Sequence, residues 1–366
     1  EIYKYFKNEL IFGINIWNLL SLIFSICIFL PILLIISNFY IESENWLHIR
    51  NNLLIEYLFT TLYLTVGVCI VSSTIGVGCA WFVTCYDFYG KKYVEWLLIL
   101  PLTIPTYIAA YSYYDILEYF NPILFWTRKK IGLDYTIMIE NILIYLIIIM
   151  LFSFVLYPYI YLSTRASLIL QGRRVIEAAN TLGVPTNKLL RKVVIPIIRP
   201  GIIAGASLVI METLNDYAAV EYFGLSTLTI GIFRSWFGMF DMGSALKLSS
   251  FLALFVFIIL AIEKFYRQGA RYNDSQGSSG LQTIDLHKKK QVMVFVFCFI
   301  PFFFGFLIPV ARLISWMLRS DVVIHGYNLF GTALNTLFVS VASSISIVLI
   351  ASLVIFTENY FNNDAL

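Results

Sequence analysis

Six stretches of this chain run for about 20 residues or more without an Asp, Glu, Lys or Arg, the length a helix needs to cross a hydrocarbon core. They are Leu10 to Ile41, Tyr57 to Tyr86, Trp96 to Tyr114, Asn141 to Thr164, Gln291 to Ala311 and Val322 to Thr357. Two more are interrupted by charge: Pro200 to Tyr222 holds Glu212, Asp216 and Glu221, and Gly243 to Ile262 holds Lys247. Backbone polar groups in lipid must be satisfied within the segment, so such runs fold as helices. The expected class is an all-α, polytopic transmembrane bundle of eight spans. A soluble domain is excluded by the 60% apolar and 13% charged composition, against the roughly 25% charged usual in soluble proteins.

Net charge is only +3, so it says nothing in favour of a nucleic-acid partner, and membrane lipid is the expected surrounding. The distribution of Lys and Arg is more informative. Lys4, Lys7, Lys91, Lys92, the seven basic residues between Arg165 and Arg199, and those from Lys264 to Lys290 fall on one side of the membrane, expected to be the cytoplasm. Arg128, Lys129 and Lys130 fall on the other side and conflict with that assignment. Cys27, Cys69, Cys79, Cys85 and Cys298 lie in or beside apolar runs without a CxxC pair, so neither disulfides nor a metal or other cofactor are expected. No GxxxxGK[ST] stretch occurs, His48, His287 and His325 are scattered, and neither ATP binding nor catalysis is expected of this chain.

An internal repeat is visible. Leu30-Pro31 through Ser37 resembles Ile308-Pro309 through Ser315, and Thr60-Thr61-Leu62 onward resembles Asn335-Thr336-Leu337 onward at nearly the same separation. The reading is a first six-span half over residues 1–263, a Ser/Gly-containing linker over 264–291, and the first two spans of an incomplete second half over 292–366. The first run is too long for a signal-peptide core and is expected to be a true span. The whole is expected to be part of a roughly twelve-span protein, since each half carries about six spans.

The loop over about residues 163–200 carries its own pattern. Val175 to Leu182 favours a short helix, Gly183 suits its end, and Pro185 suits the first turn of the next. Pro196 and Pro200 are expected to break the chain before it re-enters the membrane. From these residues alone Glu177 either presents a carboxylate to a docking partner or pairs with Arg173 one turn back.

Glu177-Ala178-Ala179, three residues, Gly183, then eleven residues to Ile195-Pro196 resembles the EAA motif of binding-protein-dependent ABC importer permeases, with Ile195 where that pattern usually has Leu. The resemblance implies the type I ABC importer permease fold. It also implies that Glu177, Ala178, Ala179, Gly183, Ile195 and Pro196 form a coupling loop seated on a cytoplasmic ATP-binding subunit, which works as a dimer. A periplasmic substrate-binding protein is the second implied partner, and a bacterial inner membrane the implied location. Met211 to Tyr217, Tyr222-Phe223-Gly224, Thr227 to Thr229, Gly231 to Arg234 and Trp236-Phe237 are similar to the fused two-half permeases for ferric iron. Permeases for thiamine, phosphonates or polyamines are the alternatives within the class, and an ion-coupled secondary carrier is the alternative outside it.

Glu212 and Asp216 are spaced i, i+4, which would put them on one helix face with Asn215 beside them. Charges at a helix centre are costly in lipid, so this face is expected to line the path of a cationic substrate or to bond with neighbouring helices. Gly201 to Gly205 adds a GxxxG pattern that permits close helix packing.

Overall fold

The computed structural model describes residues 16–41, 43–115, 117–172, 189–267, 284–319 and 329–363. They fall into two compact units. In one, α1 (Ile16–Ser37) packs on α13 (Leu329–Asn363), and both leave most of their described apolar side chains exposed. Lipid solvates such side chains as well as a neighbouring helix would.

The second unit, Ile41–Arg319, holds the rest. Its centre is three mutually packed helices: α2 (Leu54–Cys85), α6 (Leu133–Ser167) and α7 (Ile195–Asn215). Between α2 and α6 come α3 (Lys91–Leu97), α4 (Thr106–Tyr114) and α5 (Asn121–Lys130). After α7 come α8 (Ala218–Tyr222), α9 (Leu228–Phe233) and α10 (Met242–Arg267), and then α11 (Lys288–Phe302) and α12 (Ile308–Arg319). Among the described residues seven helices or continuous helix runs are long and apolar enough to span a membrane, and the total reaches eight if one bent pair counts as a crossing.

That bent pair covers the expected third span, Trp96 to Tyr114, and shows it to be broken. The axis turns by 87° between Lys91–Thr103 and Thr106–Tyr114. Pro105 disfavours helical backbone at the residue before it, and Ile104 is extended at φ −97°, ψ 117°. A correction concerns Pro196 and Pro200, which do not interrupt the chain. Pro196 sits in the first turn of α7, where its missing N–H costs nothing, and Pro200 lies inside the helix. The fifth span instead ends at Asn215, where Asp216 turns extended.

α2 and α6 run parallel in a constant register. Thr60 pairs with Tyr145 (3.2 Å between hydroxyls), the Ser153 hydroxyl donates to the Val68 carbonyl (3.4 Å), and Gly76 faces Ile160. α7 closes on α6 through Gly201 and Gly205, so the GxxxG stripe does bring two backbones together. A Cβ on Gly205 would lie 2.6 Å from Ile160 Cα and 2.9 Å from the Tyr159 carbonyl oxygen.

Local details settle the remaining charges. Arg128, Lys129 and Lys130 occupy the last turn of α5, where cations complement the helix dipole, and Lys130 Nζ lies 4.9 Å from the Trp126 ring centre. Lys247 is buried on α10, its ammonium 5.2 Å from the Trp46 ring. Tyr86–Asp87 (β1), just after α2, pairs in parallel with Ile284–Asp285 (β2). The end of the expected linker is thereby tied to the turn after α2.

Gly205→Ala is expected to lower the thermal midpoint of the purified chain, at a cost of about 1–3 kcal/mol from forcing two backbones apart. Gly238→Ala, where an added Cβ meets nothing within 4 Å, is expected to leave it unchanged.

Candidate functional site

Of the coupling-loop residues, Glu177, Ala178, Ala179 and Gly183 lie outside the described residues, whereas Ile195 and Pro196 open α7. The two roots of the loop are the wide helical turns Leu168–Gly172, following α6, and Leu190–Val194, leading into α7. They are held together: Leu168, Leu189, Val194 and Ile198 are buried in one cluster with Tyr161 and Cys85. Arg165, one turn before the first root, pairs with Glu95 of α3 at 2.7 Å. The described ends of this loop are thus packed together with α6 and α7, and α6 is tied to α3.

At the other end, Glu212, Asn215 and Asp216 close α7: Asp216 is its C-cap residue and its backbone N–H still donates to the Glu212 carbonyl (3.1 Å), so the two carboxylates stand one turn apart but take different partners. Glu212 is on α7 and exposed, with its carboxylate accepting from the Tyr159 hydroxyl at 3.4 Å. Asn215 is the exposed last residue of α7. Asp216 has left the helix, and its carboxylate accepts from the Thr106 hydroxyl and from the Ala219 backbone N–H (2.8 Å). Thr106 is the first residue of α4 and Ala219 the second of α8. One carboxylate thus joins the break in the third span to the break in the fifth, at helix N-terminal turns that favour negative charge.

Thr106 and Tyr159 were not singled out by sequence reasoning. The signal for Thr106 was its place directly after Pro105, where a broken helix must restart. Nor did sequence reasoning find the bridge between Asp115 and Arg312, which joins α4 to α12, or the 3.8 Å pair Arg234–Glu221. Tyr113, one of four tyrosines clustered on α4, is buried and donates to the Phe304 carbonyl.

Asp241, immediately before α10, anchors the segment ahead of α2. Its carboxylate accepts from the Ser43 hydroxyl (2.6 Å), the Asn45 backbone and side-chain amides (3.2 Å each), and the Ser244 amide and hydroxyl (3.0 Å each). Burial opposes ionisation, but the hydrogen bonds from Ser43, Ser244 and Asn45 outweigh it and hold this carboxyl well below the usual carboxylate range. A depressed folded-state pKa gives stability that is present above the unfolded value, about 3.9, and lost as pH falls through the folded value.

Two outcomes are expected. Asp241→Asn lowers the thermal midpoint at neutral pH, at a cost of about 1–3 kcal/mol, and its deficit against the parent shrinks as pH falls below about 4. Asp216→Ala and Thr106→Val each raise the rate of limited proteolysis between α3 and α4, and the double variant is no worse than the more severe single one, since both remove the same bond.

Residues 72–272 match the family of binding-protein-dependent transport system inner membrane components. The chain is 27% identical over 265 residues to the Fe(3+)-transport system permease protein FbpB 2 of Haemophilus influenzae, covering 72% of this chain and 48% of that protein. It is 26% identical over 183 residues to the sulfate transport system permease protein CysT of Salmonella typhimurium, covering 49% of this chain and 62% of that one. The Escherichia coli CysT is similar to the same degree, 26% over 181 residues. The chain thus spans about half the length of the iron relative and 62% of these sulfate relatives. The helical bundle is the type I ABC importer permease fold. With more than half of its residues matching the family, this multi-pass chain belongs to the binding-protein-dependent inner membrane components, the permeases of ABC importers.

Proposed function

We propose that this chain is the membrane-spanning part of an ABC importer that carries ferric iron across the bacterial inner membrane. A periplasmic binding protein delivers the ion, and hydrolysis of ATP by separate cytoplasmic subunits drives the cycle through the loop bearing Glu177, Ala178, Ala179 and Gly183. Transport, rather than chemistry on the substrate, is the work of this chain.

The observation that carries the choice of substrate is the charge at the two helix breaks. Half-helix N-termini in a broken span are natural places to hold an anionic substrate's oxygens. Here Asp216 already supplies a carboxylate to the first turns of α4 and α8, while Glu212 remains exposed one helical turn inward. A sulfate ion approaching this region meets two carboxylates and their repulsion. A hard, highly charged cation meets oxygen ligands suited to it. The match over 265 residues to an iron permease supports the same reading, and the matches to sulfate permeases supply its rival.

Uptake of radiolabelled ferric iron and of labelled sulfate is to be compared in cells expressing the full transport locus, with each variant checked for normal membrane levels. Iron uptake is expected to depend on this chain and to fall about tenfold or more in Glu212→Gln, equivalent to about 1.4 kcal/mol of lost stabilisation. Sulfate uptake that depends on the chain and survives Glu212→Gln would overturn the iron assignment. Deletion of Glu177 to Gly183 is expected to abolish co-purification of the ATP-binding subunit. Transport that survives this deletion would point to an ion-coupled carrier instead.

A further inference from the structure

Among the described residues, five buried side-chain polar atoms have no hydrogen-bond partner: Ser72 Oγ, Thr84 Oγ1, Tyr161 Oη, Thr164 Oγ1 and Arg165 Nε. Four of the five lie on neighbouring stretches of α2 and α6. Tyr161, Thr164 and Arg165 are spaced i, i+3 and i+4 on α6 and share a face. The constant register of α2 against α6, 84 or 85 residues throughout, carries Thr84 to the level of Leu168, one turn beyond Thr164. Cys85, Tyr161 and Leu168 are buried in the same cluster, as that register requires.

A buried hydroxyl or N–H without a partner costs about 1–3 kcal/mol, and four such groups together would be a heavy burden on one helix pair. Exposure does not relieve it: Tyr161 and Thr164 are 0% and Thr84 7% accessible, and although the Arg165 side chain is 27% exposed its Nε is covered. The chemistry of the groups says what does. Three hydroxyls can donate or accept, and Nε–H can only donate. The Arg165 guanidinium is already matched by Glu95 at 2.7 Å, so this cation is not free to hold an ion.

We propose that Thr84, Tyr161, Thr164 and Arg165 build an internal hydration site, in which ordered water bridges α2 and α6 where α6 passes into the wide turn at Leu168–Gly172. Buried waters make about three hydrogen bonds each, so one or two satisfy all four groups. The site lies between the Arg165–Glu95 pair and a root of the coupling loop. Water there exchanges partners cheaply, and the end of α6 shifts against α2 and α3 without stripping a polar group bare.

Radiolytic hydroxyl-radical labelling of the full chain in lipid nanodiscs, read by mass spectrometry, tests this, because bound water delivers radicals to side chains that bulk solvent does not reach. Tyr157 is the internal control: it lies one turn away and is equally buried, but its hydroxyl donates to the Leu98 carbonyl at 2.9 Å. Tyr161 is expected to be oxidised several-fold faster than Tyr157, and Thr164→Val or Thr84→Val is expected to reduce that rate. A Tyr161 as inert as Tyr157 would sink the proposal, as would labelling unchanged in both variants. Labelling of Tyr161 that is suppressed when chloride replaces gluconate would assign the site to an anion and overturn the water assignment. The comparison in the unmodified chain stands even where a variant fails to fold.

Discussion

Close backbone contact among α2, α6 and α7 is the constraint on which the rest of the second unit depends. In a bilayer an apolar side chain gains little by exchanging lipid for a neighbouring helix, so helices associate only where they approach closely enough for dense packing. Gly76 lets α2 lie against Ile160 and Tyr161, and Gly201 and Gly205 let α7 lie against the same stretch of α6 from another side. The turn of α6 from Tyr159 to Ser163 is thus gripped by two helices. Tyr159 in this turn reaches Glu212, Arg165 just beyond it reaches Glu95, and the turn at Leu168–Gly172 follows from the end of α6 with Leu189 and Val194 packed beside it.

Polar groups follow a second rule, since within lipid each must find its partner inside the protein. The breaks in the third and fifth spans free backbone and side-chain groups that a continuous helix would have satisfied, and Asp216 joins them by accepting from both sides. Asp241 does comparable work at the entry to α10, gathering Ser43, Asn45 and Ser244. Glu212 is different, with a single long hydrogen bond and an exposed side chain. Two carboxylates four residues apart therefore have unlike surroundings, one holding two breaks together and the other exposed.

Much of the architecture was legible in the chain. Among the described residues seven helical runs appear where uncharged or nearly uncharged runs placed them, and Gly201 and Gly205 do make the close approach that their spacing permits. The break in the third span was not legible, because counting apolar residues does not register what Pro105 does to direction. The fifth was misread: Pro196 and Pro200 looked like breaks, but one falls in a first turn and the other is carried within a packed helix. The EAA pattern named the family, although the four residues at its heart lie beyond what the structure describes.

The sequence by itself determined that the chain crosses a membrane repeatedly as helices and belongs to a permease family. These are local properties, read from about 20 consecutive apolar residues and from one short motif. Only the tertiary structure decided where the crossings bend and which charges meet. Thr106 and Asp216 stand 110 residues apart, Asp115 and Arg312 stand 197 apart, and Glu95 and Arg165 stand 70 apart. No local pattern encodes such pairs, because each exists only once helix packing has brought its two partners to the same depth.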